Sequence, residues 1–142
     1  MLPPASGARR AELVLEGARL IGLQVGQERL PVVPKSVTGF IERTRRHRGS
    51  IEISGWAAEI GRGRLPREIL IFSDGRLVYS GMTAISELRI VERYGNPAIE
   101  LCGFRFEIPE DLVPHLETKG LHAVAISSSE QASELGYFHR LE

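Results

Sequence analysis

Four arginines and a histidine fall within the stretch Arg43-Thr44-Arg45-Arg46-His47-Arg48. Guanidinium groups present planar forks of donors that match phosphate and carboxylate oxygens. Arg43, Arg45, Arg46 and Arg48 are therefore a candidate anion site for an acidic polymer, a nucleotide or a lipid headgroup. The run also reads as a solvated hairpin tip whose charge Glu42 and Glu52 partly offset. No aromatic side chains are interleaved with the arginines, as a groove for single-stranded nucleic acid requires.

The single tryptophan, Trp56, ends a stretch that alternates like a strand. Alternation puts Ile51 and Ile53 on one face and Glu52, Ser54 and Trp56 on the other, where an open indole makes a stacking platform for a sugar ring. Alternatively, Gly55 marks a bulge that shifts the register and turns the indole into the core, the commoner place for a large aromatic. Further along, Glu87, Arg89, Glu92 and Arg93, with Tyr94 and Asn96 after them, can converge on a ligand at a rim. They can equally be a helix surface tied by charge pairs at i, i+3 and i, i+4.

Groups for catalysis are sparser. Ser127 to Ser129, His122 or His139, and Asp111 contain the members of a hydrolase triad, but no Gly-x-Ser-x-Gly elbow presents the serine. Gly61-Arg62-Gly63-Arg64 lacks the spacing and the Lys-Ser/Thr of a phosphate loop. The histidines have no zinc spacing, and the scarcity of aspartate leaves glutamates to carry any oxygen-ligand site. No enzyme activity, cofactor or metal is expected.

The elements that must position these residues are those of one domain, since 142 residues lie in the single-domain range. Cys102 is the only cysteine, so the fold rests on apolar burial and not on disulfides. Eighteen basic and 18 acidic residues cancel, which removes the global pull toward nucleic acid or anionic membrane. Apolar runs such as residues 69–72 are far too short to span a bilayer. The start Met1-Leu2-Pro3-Pro4 lacks a signal sequence, which points to the cytoplasm unless the chain is a fragment of a longer protein.

Residues 1–35 read as an N-terminal arm or linker. Helical spacing over 8–20 begins behind a Ser6 cap, and Pro31 and Pro34 then hold an extended segment that can add a strand across a sheet edge. Residues 36–142 read as a β-sandwich. Segments 37–43 and 50–60 flank a polar turn at 44–49, and 68–73 is apolar on both faces. Asp74-Gly75 makes a tight hairpin back through 76–80. Ile85, Leu88 and Val91 mark a short inserted helix capped by Ser86 and ended by Gly95. Strand pattern resumes at 99–109, with Cys102, Phe104, Phe106 and Ile108 on one face, and again at 121–127 and 135–141. The expected fold is mostly β, an antiparallel two-sheet sandwich of about seven strands with one short helix.

In this frame the order Gly55-Trp56-Ala57, Asp74-Gly75, short helix, Tyr94-Gly95-Asn96-Pro97, Gly103-Phe104-Arg105-Phe106 and Ser133-Glu134-Leu135 resembles a group of bacterial β-sandwich accessory modules. Those modules are appended to glycosyltransferases and other surface-polysaccharide enzymes. Where they carry an aspartate after Gly-Trp-Ala this chain has Glu59, and where they open the helix with Arg-Pro-Asp it has Ser86-Glu87-Leu88. The resemblance implies a non-catalytic recognition or accessory module, carbohydrate-binding through Trp56, Glu59, Glu87, Arg89, Tyr94 and Asn96. The alternative is a structural or protein-interaction domain that docks on another domain or on a second copy. The partners so implied are a glycan, another protein domain or a homo-oligomer, and not nucleic acid.

Overall fold

A computed structural model describes residues 10–113 and 121–137 of the chain. Its strands form two sheets. The seven-stranded sheet runs β10-β9-β6-β7-β1-β2-β3, from Ala132–Glu134 (β10), Leu121–Ile126 (β9), Glu68–Ser73 (β6), Arg76–Gly81 (β7), Ala11–Glu16 (β1), Arg19–Val25 (β2) and Glu28–Pro31 (β3). The four-stranded sheet runs β11-β4-β5-β8, from Gly136–Tyr137 (β11), Thr38–His47 (β4), Ser50–Ala58 (β5) and Gly103–Pro109 (β8). One helix, α1 (Leu88–Tyr94), and a 3-10 turn at Pro97–Ile99 cross between β7 and β8.

The two-sheet, mostly β expectation holds, but the larger sheet is not a flat sandwich layer. Val32 forms a parallel bridge with Ala132, linking the chain beyond β3 to β10, so the sheet curls nearly into a barrel. Leu23, Leu30, Leu70, Phe72, Val124 and Ile126 fill its interior. The other face of β6 sends Ile69 and Ile71 against Ile51, Ile53, Phe104, Phe106 and Ile108 of the smaller sheet. Each such side chain contributes roughly 1.5 to 3 kcal/mol when fully buried.

The arm is corrected by the structure. Residues 11–31 form β1, β2 and β3, joined at Gly17 (φ 65°) and Gly26 (φ 60°). Gly17 and Gly26 are the turns of two hairpins, because a positive φ costs glycine little. Ser6 lies outside the described residues. The strand that the arm was expected to add is added within its own sheet, closing the curl at Val32.

Other boundaries shift for local reasons. The turn at 44–49 shrinks to Arg48 (φ 51°) and Gly49 (φ 85°), a pair of left-handed residues that suits a tight hairpin, so β4 runs on through the arginines. Asp74 (φ 51°) and Gly75 (φ 82°) close the β6–β7 hairpin as expected. The helix begins at Leu88. Ser86 Oγ donates to the Glu100 carboxylate at 2.9 Å and does not cap it, while Gly95 ends it in the left-handed region. The strand expected from Ile99 begins at Gly103, because Pro97–Ile99 coils into the 3-10 turn. Cys102 consequently leaves the Phe104 face and is buried with Trp56. At the end, Ala132–Glu134 pairs with β9 and Gly136–Tyr137 pairs in parallel with β4, while residues 138–141 of the expected last strand lie outside the described residues.

Candidate functional site

Trp56 is where the alternation puts it, on the face opposite Ile51 and Ile53, and no bulge interrupts the β5–β8 register. The bulge lies in β4, between Ile41 and Arg43. Yet the indole is 1% exposed, because the outer face of the sheet is roofed. Ile90 of α1, Ile99 and Cys102 close over it with Ala58, and the rings of Phe40 and Tyr94 each stand 6.1 Å from it. Gly103, opposite Trp56, lets the roof sit this low, since a Cβ there would come within 2.8 Å of the Ile85 carbonyl and of Glu87. The open sugar platform is thus corrected to a packed indole.

Polar side chains on this roof bind one another. Arg89 Nε donates to Glu87 at 3.1 Å and its Nη2 donates to Glu42, strapping α1 to the β4 bulge. The Glu42 carboxylate, more than Glu87, holds the Arg89 guanidinium above its ordinary pKa, against a smaller effect of burial. Beneath it, burial pushes the Cys102 thiol up to about 11, with Glu87 adding to the shift. Arg93 lies over the half-exposed Tyr94 ring at 5.9 Å, and Asn96 Oδ1 accepts from Ala98 N at 2.9 Å to start the 3-10 turn.

Glu59 stands apart from that group. It is 2% exposed, and its carboxylate accepts from both Ser128 N (2.7 Å) and Ser128 Oγ (2.9 Å). Its backbone carbonyl accepts from Arg62 and Gly63, so one residue fastens the loop after β5 and the turn after β9. The neighbouring serines are engaged as well. Ser127 Oγ accepts from Ser129 N and Gln131 N, Ser129 Oγ accepts from Arg62, and His122 Nδ1 lies 2.6 Å from Glu134. Among the described residues no group of three or more His, Cys, Asp or Glu is arranged to hold a metal.

The arginine run is divided by its strand. Arg43 and Arg45 lie across from Ser54 and Glu52 on the outer face, and Arg45 pairs with Glu52 at 3.4 Å. Arg46 lies across from Ile51 and pairs with Glu110 at 3.1 Å, while Arg48 sits in the turn. Alternation therefore sends Arg45 and Arg46 to opposite faces, and the four cations do not converge on one point.

An open cleft lies elsewhere. A cleft of about 450 Å³ runs between the chain just after β3 and the β4–β11 pair. Leu20, Val32, Pro34, Val37 and Phe40 give it apolar walls, and Arg19, Lys35 and Glu134 stand among its lining residues. Lys35 is held at φ 68°, and the Phe40 ring packs so closely over Gly136 that a Cβ there would lie 2.4 Å from it. The volume falls in the range of small-ligand and side-chain pockets. Sequence reading missed it because its lining comes from distant segments; the one signal was the Pro31 and Pro34 interruption. Among the described residues no helix is long and apolar enough to cross a membrane. Set against family models, curated proteins and solved structures, the chain matches none of them.

Proposed function

We propose that the chain is a non-catalytic interaction module, and that it takes a segment of a protein partner in the cleft between Leu20, Val37 and Phe40. The cleft carries this reading: it is an open, apolar-walled cavity, whereas Trp56 is sealed beneath α1. Arg19 and Lys35 favour a segment with an acidic residue beside its apolar anchor, since unlike charges at a rim steer association. A non-catalytic role is supported by the serines, His122 and Glu59, each of which is engaged in a local structural bond. The accessory role in a polysaccharide pathway remains part of the proposal as a setting: the partner would be an adjoining enzyme domain.

The test is an amide NMR titration with a short extended peptide carrying alternate leucines and glutamates and, separately, with neutral oligosaccharides. The peptide is expected to shift the amides of Lys35, Thr38 and Gly136, and the oligosaccharides none. An oligosaccharide that shifts amides around Trp56 and Tyr94 would overturn the reading in favour of carbohydrate recognition.

A further inference from the structure

The smaller sheet ends at β8, and the main-chain groups along its far side are arranged to meet another strand. Gly103 turns both its N–H and its carbonyl away from β5, to Ile85 at 2.8 and 3.0 Å. Alternation then directs the backbone groups of Arg105 and Glu107 to that same side, and Pro109, which has no donor, comes next. Among the described residues no strand pairs with this side beyond Gly103.

The side chains of this edge are self-complementary. Phe104, Phe106 and Ile108 point into the core, while Arg105 and Glu107 project from the outer face. Arg105 is 60% exposed, and its Nε lies 4.0 Å from Glu52. In an antiparallel pairing of two β8 strands about Phe106, Arg105 of each copy falls opposite Glu107 of the other. These are also the positions that exchange both backbone bonds. Met82, 67% exposed, flanks the same edge. It lies between Gly81, which closely approaches the Phe106 ring, and Ala84, whose N–H is bonded to Gly103.

From this we infer that the chain forms a twofold dimer through β8, with a second copy of itself as the partner and the Arg105–Glu107 pairs setting the register. The surface is separate from the cleft, so the two proposals stand or fall independently. The dimer would be isologous, each β8 giving and receiving the same contacts and joining the two small sheets into one.

Charge swaps decide it. Sedimentation of the parent chain from micromolar to millimolar concentration is expected to show a reversible monomer–dimer equilibrium. Arg105→Glu alone, or Glu107→Arg alone, sets like charges opposite each other and should weaken it by about tenfold or more. Mixing these two variants should restore association as a heterodimer, and the double variant should restore the homodimer. Far-UV spectra and melting of every variant confirm folding, since both side chains are exposed. A parent that stays monomeric throughout overturns the inference, as do single variants that dimerise like the parent or a mixture that fails to recover. Thr38→Arg, placed in the cleft, should leave dimerisation unchanged.

Discussion

The Glu59 carboxylate holds Ser128 by both its amide and its hydroxyl, at 2.7 and 2.9 Å, in a site almost closed to water. This joins the end of β5 in one sheet to the turn after β9 in the other. Glu59→Ala should cost about 2 to 3 kcal/mol, because bonds to a charged acceptor are the stronger kind and the amide of Ser128 is left unpaired. Ser128→Ala keeps the amide bond and should cost roughly 1 kcal/mol. Urea denaturation measures both; equal, negligible losses would show that the two sheets do not depend on this fastening.

The face on which Trp56 lies was legible from alternation alone, and so was the β6–β7 hairpin, where Asp74-Gly75 follows a strand apolar on both sides. The roof over Trp56 was not, because Ile90 and Ile99 come from a helix and turn far along the chain, and nothing local to Gly55 announces a cover. The first three strands were hidden by coincidence. Leu13 and Leu20 sit at helix-like spacing, yet Gly17 reverses the chain between them. The arginines were legible as a cluster in sequence, but a strand sends neighbours to opposite faces, which a turn would not have done.

Trp56→Ala should cost about 3 to 5 kcal/mol, the range for truncating a buried aromatic. Since Trp56 is the sole tryptophan, native fluorescence should resist iodide quenching until the chain unfolds. A loss well under 1 kcal/mol in chemical denaturation would contradict the roofed site.

Cys102 supplies a pH test. Its folded thiol is raised from 9.0 to about 11 by burial, so the folded state favours the protonated form. The stabilisation is fully present below pH 9 and is lost as pH rises through about 11. The stability of the parent should therefore fall faster than that of Cys102→Ala across this window, by at most roughly 1.4 kcal/mol per pH unit. At pH 8 the native thiol should react slowly with a disulfide reagent and quickly once urea unfolds the chain. Rapid labelling of the native protein would place the thiol at the surface.

Replacing Arg45, Arg46 and Arg48 together with serine should change stability by about 0.5 kcal/mol per site or less, since the pairs with Glu52 and Glu110 are partly exposed. Retention of the parent on an anionic resin should be weak and should vanish as salt rises above physiological strength, where screening acts within about 8 Å. Salt-resistant retention lost in the triple variant would mean that the divided arginines do form a shaped anion site.

The cleft itself is tested most directly by filling it. Thr38 lines the cleft at the start of β4 and is partly exposed, so Thr38→Arg puts a long side chain into the cavity without removing core. Titration of the parent with the leucine–glutamate peptide, followed by calorimetry or amide shifts, should give saturable binding that Thr38→Arg abolishes while its melting temperature stays within a few degrees of the parent's, as expected for a change of under about 1 kcal/mol. Undiminished binding in Thr38→Arg, or no binding by the folded parent, would contradict the assignment of the cleft as the interaction site.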